Sequence, residues 1–254
     1  MIIFILLLLL AVCIFINYWS ITKKDHIGYH VIDMFTDEEV KHVLNLSSQK
    51  KYDDIYTYIT THPRVLLKIQ NVLGPEYIFK KYFLSIEKSS VSTCHRDENG
   101  QIFNSHQKFP SYTILFYFRQ LNGCLEVVEN SHRQDKMINF KKLKTIECTP
   151  GQAILFDADM IHSGTNNAGD ENTTRIQLKL HHREDPFPEY LENMKQSLDA
   201  SKNSGSTAGF MRFLSCTFPI IGDITRNGKN IPDFIVRMYK DITYGKGKYE
   251  TNSY

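Results

Sequence analysis

Residues 94 to 100 read CHRDENG, with His95 and Asp97 two positions apart. An imidazole and a carboxylate at this spacing serve two common chemistries. In a protein kinase, H-R-D opens the catalytic loop; in a non-haem iron enzyme, H-x-D supplies two of three metal ligands. The kinase use needs an Asn five residues after the Asp, and Ile102 stands there. No Gly-rich loop precedes the motif and no D-F-G follows it. On an extended segment His95 and Asp97 point the same way, so both can reach one metal. The best third ligand is His162, in PGQAILFDADMIHSGTNN, where an apolar strand and a turn deliver the chain. Two imidazoles and one carboxylate on one face of ferrous iron leave positions for a cosubstrate and oxygen.

Beyond His162, Arg175 opens the run TRIQLKL. A dicarboxylate cosubstrate such as 2-oxoglutarate chelates metal through its 2-oxo acid end. Its far carboxylate needs a fixed cation, and Arg presents a bidentate fork. Strand alternation puts Arg175, Gln177 and Lys179 on one face and Ile176, Leu178 and Leu180 on the other, which can pack against helices.

The elements that must hold these residues are short strands. Candidates are 78–89, 111–118, 124–129, 143–149, 153–158 and 174–182, each rich in β-branched or aromatic residues and bounded by turn residues. Such strands in series, without intervening helices, suggest an antiparallel sandwich or barrel such as a jelly roll. Ahead of them, a short strand is expected within 26–34. Thr36 is placed to cap a helix over 37–47, with Glu39 completing a capping box and Val40, Val43, Leu44 and Leu46 as its apolar face. A further helix follows Pro63 and stops at Gly74-Pro75. Past residue 185, PEYLENMKQSLDA is expected as a helix, SKNSGSTAG as a flexible link and GKGKYETNSY as a disordered tail.

The first 16 residues, MIIFILLLLLAVCIFI, carry no polar side chain; Tyr18, Trp19, Lys23 and Lys24 follow. A helix through Trp19 is about 28 Å long, near one hydrocarbon thickness, so a single-pass anchor over 1–22 is expected. No basic n-region or A-x-A site marks a cleaved signal peptide. Lysines only on the far side favour a cytoplasmic body, a two-charge signal that leaves the side open. The net charge of +2 shows no basic field for nucleic acid, and no nucleic-acid partner is expected. Five cysteines without a C-x-x-C pair argue against a zinc ribbon or disulfide framework, and at least four are expected as ordinary buried thiols.

The chain resembles the Fe(II)/2-oxoglutarate-dependent oxygenases, most closely the phytanoyl-CoA dioxygenase-like branch, over about residues 78–182. Four blocks carry the resemblance: His95-Arg96-Asp97; Asn122-Gly123-Cys124-Leu125-Glu126-Val127-Val128 with Ser131-His132-Arg133; Pro150-Gly151-Gln152 with Leu155-Phe156-Asp157; and His162-Ser163 with Asn166 and Arg175. Asn130 stands where the family has Gly, a mild departure because Asn tolerates positive φ. In the prolyl-hydroxylase branch a T-x-x-x-Y strand resembles Thr113 to Tyr117.

The resemblance implies a double-stranded β-helix (jelly roll, cupin-like); with the helices and the apolar N-terminus read above, the expected whole is a mainly β protein with flanking helices, preceded by an N-terminal transmembrane helix. Expected units are an anchor at 1–22, a helical lead-in at 23–77, an oxygenase core at 78–184 and a C-terminal extension at 185–254. It also implies iron on His95, Asp97 and His162, the cosubstrate's far carboxylate on Arg175, and a hydrogen bond to that carboxylate from Tyr117. Fe(II), 2-oxoglutarate and O2 are the implied cofactors, with ascorbate a candidate addition. The implied activity is hydroxylation of a small-molecule, lipid or peptide substrate. The alternatives are a protein prolyl or lysyl hydroxylase of secretory membranes, and a non-catalytic membrane-tethered jelly roll. Loops 98–110 and 130–142 and the C-terminal region are expected to choose the substrate. His132 is expected to cap a turn or contact loops, and His181-His182 to be structural, since strand neighbours point oppositely.

Overall fold

The computed structural model describes residues 27–88, 93–97, 107–133, 138–165, 173–187, 191–199, 206–219, 221–222 and 251–253. The apolar run and the expected anchor over 1–22 lie outside them. Among the described residues, no helix is long and apolar enough to cross a membrane.

After strand β1 (Tyr29–Asp33), Thr36 caps helix α1 (Asp37–Ser48). The Thr36 hydroxyl accepts from the Glu39 N–H, and the Glu39 carboxylate accepts from the Thr36 N–H at 2.7 Å, which is the expected capping box. Val40, Val43 and Leu46 are buried, and Leu44 is partly so. Helix α2 (Tyr52–Thr61) was not anticipated from the sequence; it buries Tyr52, Ile55 and Ile59, a narrow stripe diluted by tyrosines and threonines. Helix α3 (Pro63–Leu73) begins at the predicted Pro, where a missing N–H leaves no intrahelical bond unmade, and stops at Gly74.

Ten further strands follow: β2 (Tyr77–Phe79), β3 (Tyr82–Lys88), β4 (Tyr112–Tyr117), β5 (Leu125–Val127), β6 (Lys144–Ile146), β7 (Gln152–Asp157), β8 (His162–Gly164), β9 (Arg175–His182), β10 (Met194–Asp199) and β11 (Thr251–Ser253). The larger sheet runs β1-β7-β4-β9-β3-β10-β11, with β2 also paired to β9; the smaller runs β6-β5-β8. Alternation gives the large sheet two apolar faces. Ile114, Phe116, Leu155, Ile176, Leu178 and Leu180 pack under α1 to α3. Leu115, Tyr117, Ile154 and Phe156 point the other way, onto Leu125, Val127 and Ile146 of the small sheet. Each such side chain, fully buried, contributes about 1.5–3 kcal/mol. The result is a jelly-roll-like pair of sheets with helices over one side.

Three expectations for the C-terminal region and the cysteines are corrected. MKQSLD within PEYLENMKQSLDA forms strand β10, parallel to β3, and not a helix. Leu191, Met194 and Leu198 have helical spacing, but Asn193 takes φ 59°, which no helix accommodates, and the open edge of β3 supplies the hydrogen bonds. Part of the expected disordered tail, Thr251–Ser253, pairs antiparallel with β10. Cys94 and Cys216, 122 residues apart, form a disulfide, leaving Cys124 and Cys148 as buried thiols. No local spacing announces a pair so distant in sequence. Cys13 lies outside the described residues.

The disulfide fastens helix α4 (Ser206–Thr217) across the outer face of the small sheet. Arg212 of α4 pairs with the Glu126 carboxylate, donates to the Ser163 hydroxyl, and reaches the Gly164 carbonyl at 3.0 Å. Ser215 Oγ accepts from the Cys94 N–H at 2.9 Å.

Candidate active site

Backbone pairing brings the first two candidate ligands together. His95 and His162 form an isolated antiparallel bridge beside β8, each N–H donating to the other's carbonyl at 3.0 Å. The Asp97 N–H donates to the Ala158 carbonyl at 2.8 Å. The extended run places Asp97 on the side of His95, while Cys94 leaves on the opposite side to meet α4.

One nitrogen of each imidazole is already committed. His95 Nδ1 lies 2.8 Å from the Thr93 carbonyl, and His162 Nδ1 lies 2.9 Å from that of Met160. A carbonyl only accepts, so Nδ1 carries the proton and Nε2 keeps its lone pair. The two Nε2 atoms stand 3.4 and 3.5 Å from Asp97 Oδ1. The three ligand atoms lie within 4.8 Å of one another, and all three residues are buried. Bonds of about 2.1 Å at right angles separate neighbouring ligands by about 3 Å, so the set fits one octahedral ion with little adjustment.

The second Asp97 oxygen is held from the large sheet. Oδ2 accepts from Thr113 Oγ1 at 2.5 Å, from Lys179 Nζ at 2.9 Å and from Gln177 Nε2 at 3.3 Å. Burial pushes the Asp97 carboxyl up. The Lys179 ammonium, hydrogen-bonded to its Oδ2, outweighs that and holds it well below the usual carboxylate range.

Arg175 lies further along the same face of β9, in register with Tyr117 of β4 and Ile86 of β3. Four residues of strand put it about 13 Å from Lys179, within the span of a dicarboxylate plus a long side chain. Its Nε is buried without a hydrogen-bond partner among the described residues. A buried charged donor left unmade is costly, so this atom suits an incoming carboxylate. The Tyr117 hydroxyl donates to the Cys124 carbonyl at 3.0 Å. Burial raises its pKa well above the ordinary phenol value, against a lowering contribution from the adjacent Arg175. Its proton therefore goes to a backbone carbonyl here, and its oxygen steers the guanidinium.

Other sequence signals resolve into structure. Asn130 takes φ 63°, as its place in a glycine position requires. His132 packs against Gly28, where a Cβ would come within 2.5 Å of its ring. His182 stacks on Phe109 at 3.7 Å, and His181 meets Phe187 edge-on at 4.8 Å; neither joins the ligand cluster. Residues 98–106 and 134–137 of the expected specificity loops lie outside the described residues. The grip of Thr113, Gln177 and Lys179 on Asp97 was not foreseen, although alternation along RIQLKL put Lys179 on the correct face.

A jelly roll with two imidazole nitrogens and one carboxylate oxygen converging on a point, and a buried guanidinium on a strand of the other sheet, defines the Fe(II)/2-oxoglutarate-dependent oxygenases. The family model described as phytanoyl-CoA dioxygenase (PhyH) matches residues 20–175, and the chain belongs to that family. No curated protein matches the sequence. Among solved structures, HygX from Streptomyces hygroscopicus with nickel and 2-oxoglutarate bound is 14% identical, over 66% of this chain and 85% of that one, with a TM-score of 0.50. Apo HygX is 13% identical with the same coverage and TM-score. EvdO2 from Micromonospora carbonacea var. aurantiaca is 12% identical over 68% of this chain and 98% of its own, at a TM-score of 0.49. At such identities the likeness is one of fold.

Proposed function

We propose that the protein is a membrane-anchored hydroxylase acting on a small-molecule, lipid or peptide substrate, with His95, Asp97 and His162 holding Fe(II) and Arg175 holding 2-oxoglutarate. The observation that carries the reading is the convergence of the His95 and His162 Nε2 atoms on Asp97 Oδ1, with the buried, under-bonded Arg175 guanidinium further along β9. When bound, iron couples oxygen reduction to decarboxylation of 2-oxoglutarate to succinate. The chain's own groups do the rest. Backbone carbonyls fix both imidazole tautomers, Arg175 orients the cosubstrate through its far carboxylate, and Leu115, Ile154 and Phe156 keep the inner face dry.

The test is a substrate-independent assay of succinate formation with Fe(II), 2-oxoglutarate and ascorbate, beside metal content. The parent should bind one Fe(II) and turn over slowly, and His162→Ala should lose most of the metal while staying folded. Equal metal content in H95A, D97A, H162A and the parent would remove the site and favour a non-catalytic jelly roll.

Membrane attachment rests on the apolar residues 1–16. The Cys94–Cys216 disulfide supports a body on the oxidising, lumenal or extracellular side, because a reducing cytosol does not sustain such bonds. Lys23 and Lys24 point the other way, but two charges weigh less than a covalent bond. This also keeps the secretory prolyl or lysyl hydroxylase reading in play. In sealed vesicles the body should resist external protease and migrate as a disulfide-linked chain on a non-reducing gel. Digestion without detergent would place it in the cytoplasm.

A further inference from the structure

We propose that Lys179 is a positioning residue for the metal site: with Thr113 and Gln177 it occupies Asp97 Oδ2, so that the carboxylate presents Oδ1 alone to the ion. The inference rests on the iron and 2-oxoglutarate reading above and adds a cause for its open coordination.

The geometry is specific. Three donors from two adjacent strands meet one oxygen: Thr113 from β4, and Gln177 and Lys179 from β9. Thr113 and Lys179 are in register across the strands, and the Lys179 ammonium also donates to Thr113 Oγ1 at 2.9 Å. The ammonium lies 5.7 Å over the Tyr82 ring, and the residue is 2% exposed, so little room remains for Oδ2 to exchange these partners for water. Oδ1 instead faces the two Nε2 atoms.

The consequence follows from counting coordination positions. A carboxylate with both oxygens free can chelate. Beside two imidazoles it then takes a fourth octahedral position, and a chelating 2-oxo acid takes the last two. A carboxylate tied at Oδ2 takes one position and leaves three, enough for the 2-oxo acid and oxygen. The rival role, that Lys179 anchors the far carboxylate, is disfavoured by its contact with a metal ligand itself. The other rival is simple balancing of a buried charge, which makes no demand on denticity.

The experiment uses the full chain in mild detergent, loaded with Co(II) without oxygen. Calorimetry reads the affinity for Co(II) and then for 2-oxoglutarate, and the visible spectrum reads the coordination of Co(II). Lys179→Met removes a cation that repels the metal and loosens the hold on Oδ2, leaving Thr113 and Gln177 as its donors. Co(II) affinity should therefore stay level or rise, the spectrum should change before any cosubstrate is added, and 2-oxoglutarate affinity should fall at least about tenfold. Thr113→Val should move the same readings in the same direction, and Thr113→Ser should restore them. If K179M does not fold, the T113V and T113S pair decides alone. Parent-like spectra and 2-oxoglutarate affinity in K179M or T113V overturn the proposal, as do losses of metal and cosubstrate affinity that simply follow lost thermal stability. A parent that binds no metal or no 2-oxoglutarate overturns the enzyme reading instead.

Discussion

Replacing Cys94 and Cys216 together by serine removes a cross-link between residues 122 apart in sequence. In the chain-entropy relation a closed loop of that length costs the unfolded chain about 16 cal/mol/K, or about 4.9 kcal/mol at 25 °C. For a chain of this size that corresponds to a fall of about 10 °C in Tm. The loss should also be local. Cys94 precedes the candidate ligand His95, and α4 is otherwise held by Arg212 to Glu126, Ser163 and Gly164 and by Ser215 to the Cys94 N–H. Metal affinity should therefore fall modestly and not vanish. The assay is scanning calorimetry of the parent and C94S/C216S without reductant, beside a thiol titration of the denatured parent. Unreduced parent should show the thiols of Cys124 and Cys148 but not those of Cys94 and Cys216, which reduction should add. No gain in thiols on reduction, or identical melting curves, would refute both the bond and the topology argued from it.

Arg175→Ala should weaken 2-oxoglutarate binding to Mn(II)-loaded protein by about 2–5 kcal/mol, roughly thirtyfold to several thousandfold, with metal affinity retained and Arg175→Lys recovering part. Unchanged cosubstrate affinity would move the anchor elsewhere. Thr36→Ala breaks the α1 capping box and should cost about 1 kcal/mol in urea unfolding; a neutral result would mean that the packing of Val40, Val43 and Leu46 alone sets that helix. Burial raises the phenol of Tyr77 to about 12 and those of Tyr112 and Tyr117 further. The folded chain thus keeps protons that the unfolded chain releases above about pH 10, and stability should fall as pH rises from there. A flat unfolding free energy between pH 10 and 12 would contradict those burials.

Local chemistry was enough to read much of this protein. Thr36 and Glu39 mark a helix start because a capping box involves four neighbouring residues, and Pro63 with Gly74 bracket α3 for the same reason. The two-faced pattern of RIQLKL foretold which side chains meet the helices and which line the site, since alternation is a property of any strand. His95, Asp97 and His162 could be picked out as a candidate set because a metal demands particular atoms whatever the fold, and their ligand atoms do lie within 4.8 Å of one another. Other features depended on what the chain met from afar. MKQSLD became a strand only because the edge of β3 was open to it, against a helical spacing of its own apolar residues. Cys94 found Cys216 because α4 folds back over the small sheet. Tyr117 carried the right residue type, but the Cys124 carbonyl took its proton. Lys179 was visible as a cation on the inner face, but its partner was decided by the register of β9 against β4, which brings its ammonium to Thr113 and the far oxygen of Asp97. Sequence determines what each residue can offer over a few neighbours; long-range strand pairing, which no short window contains, decides which of those offers meet.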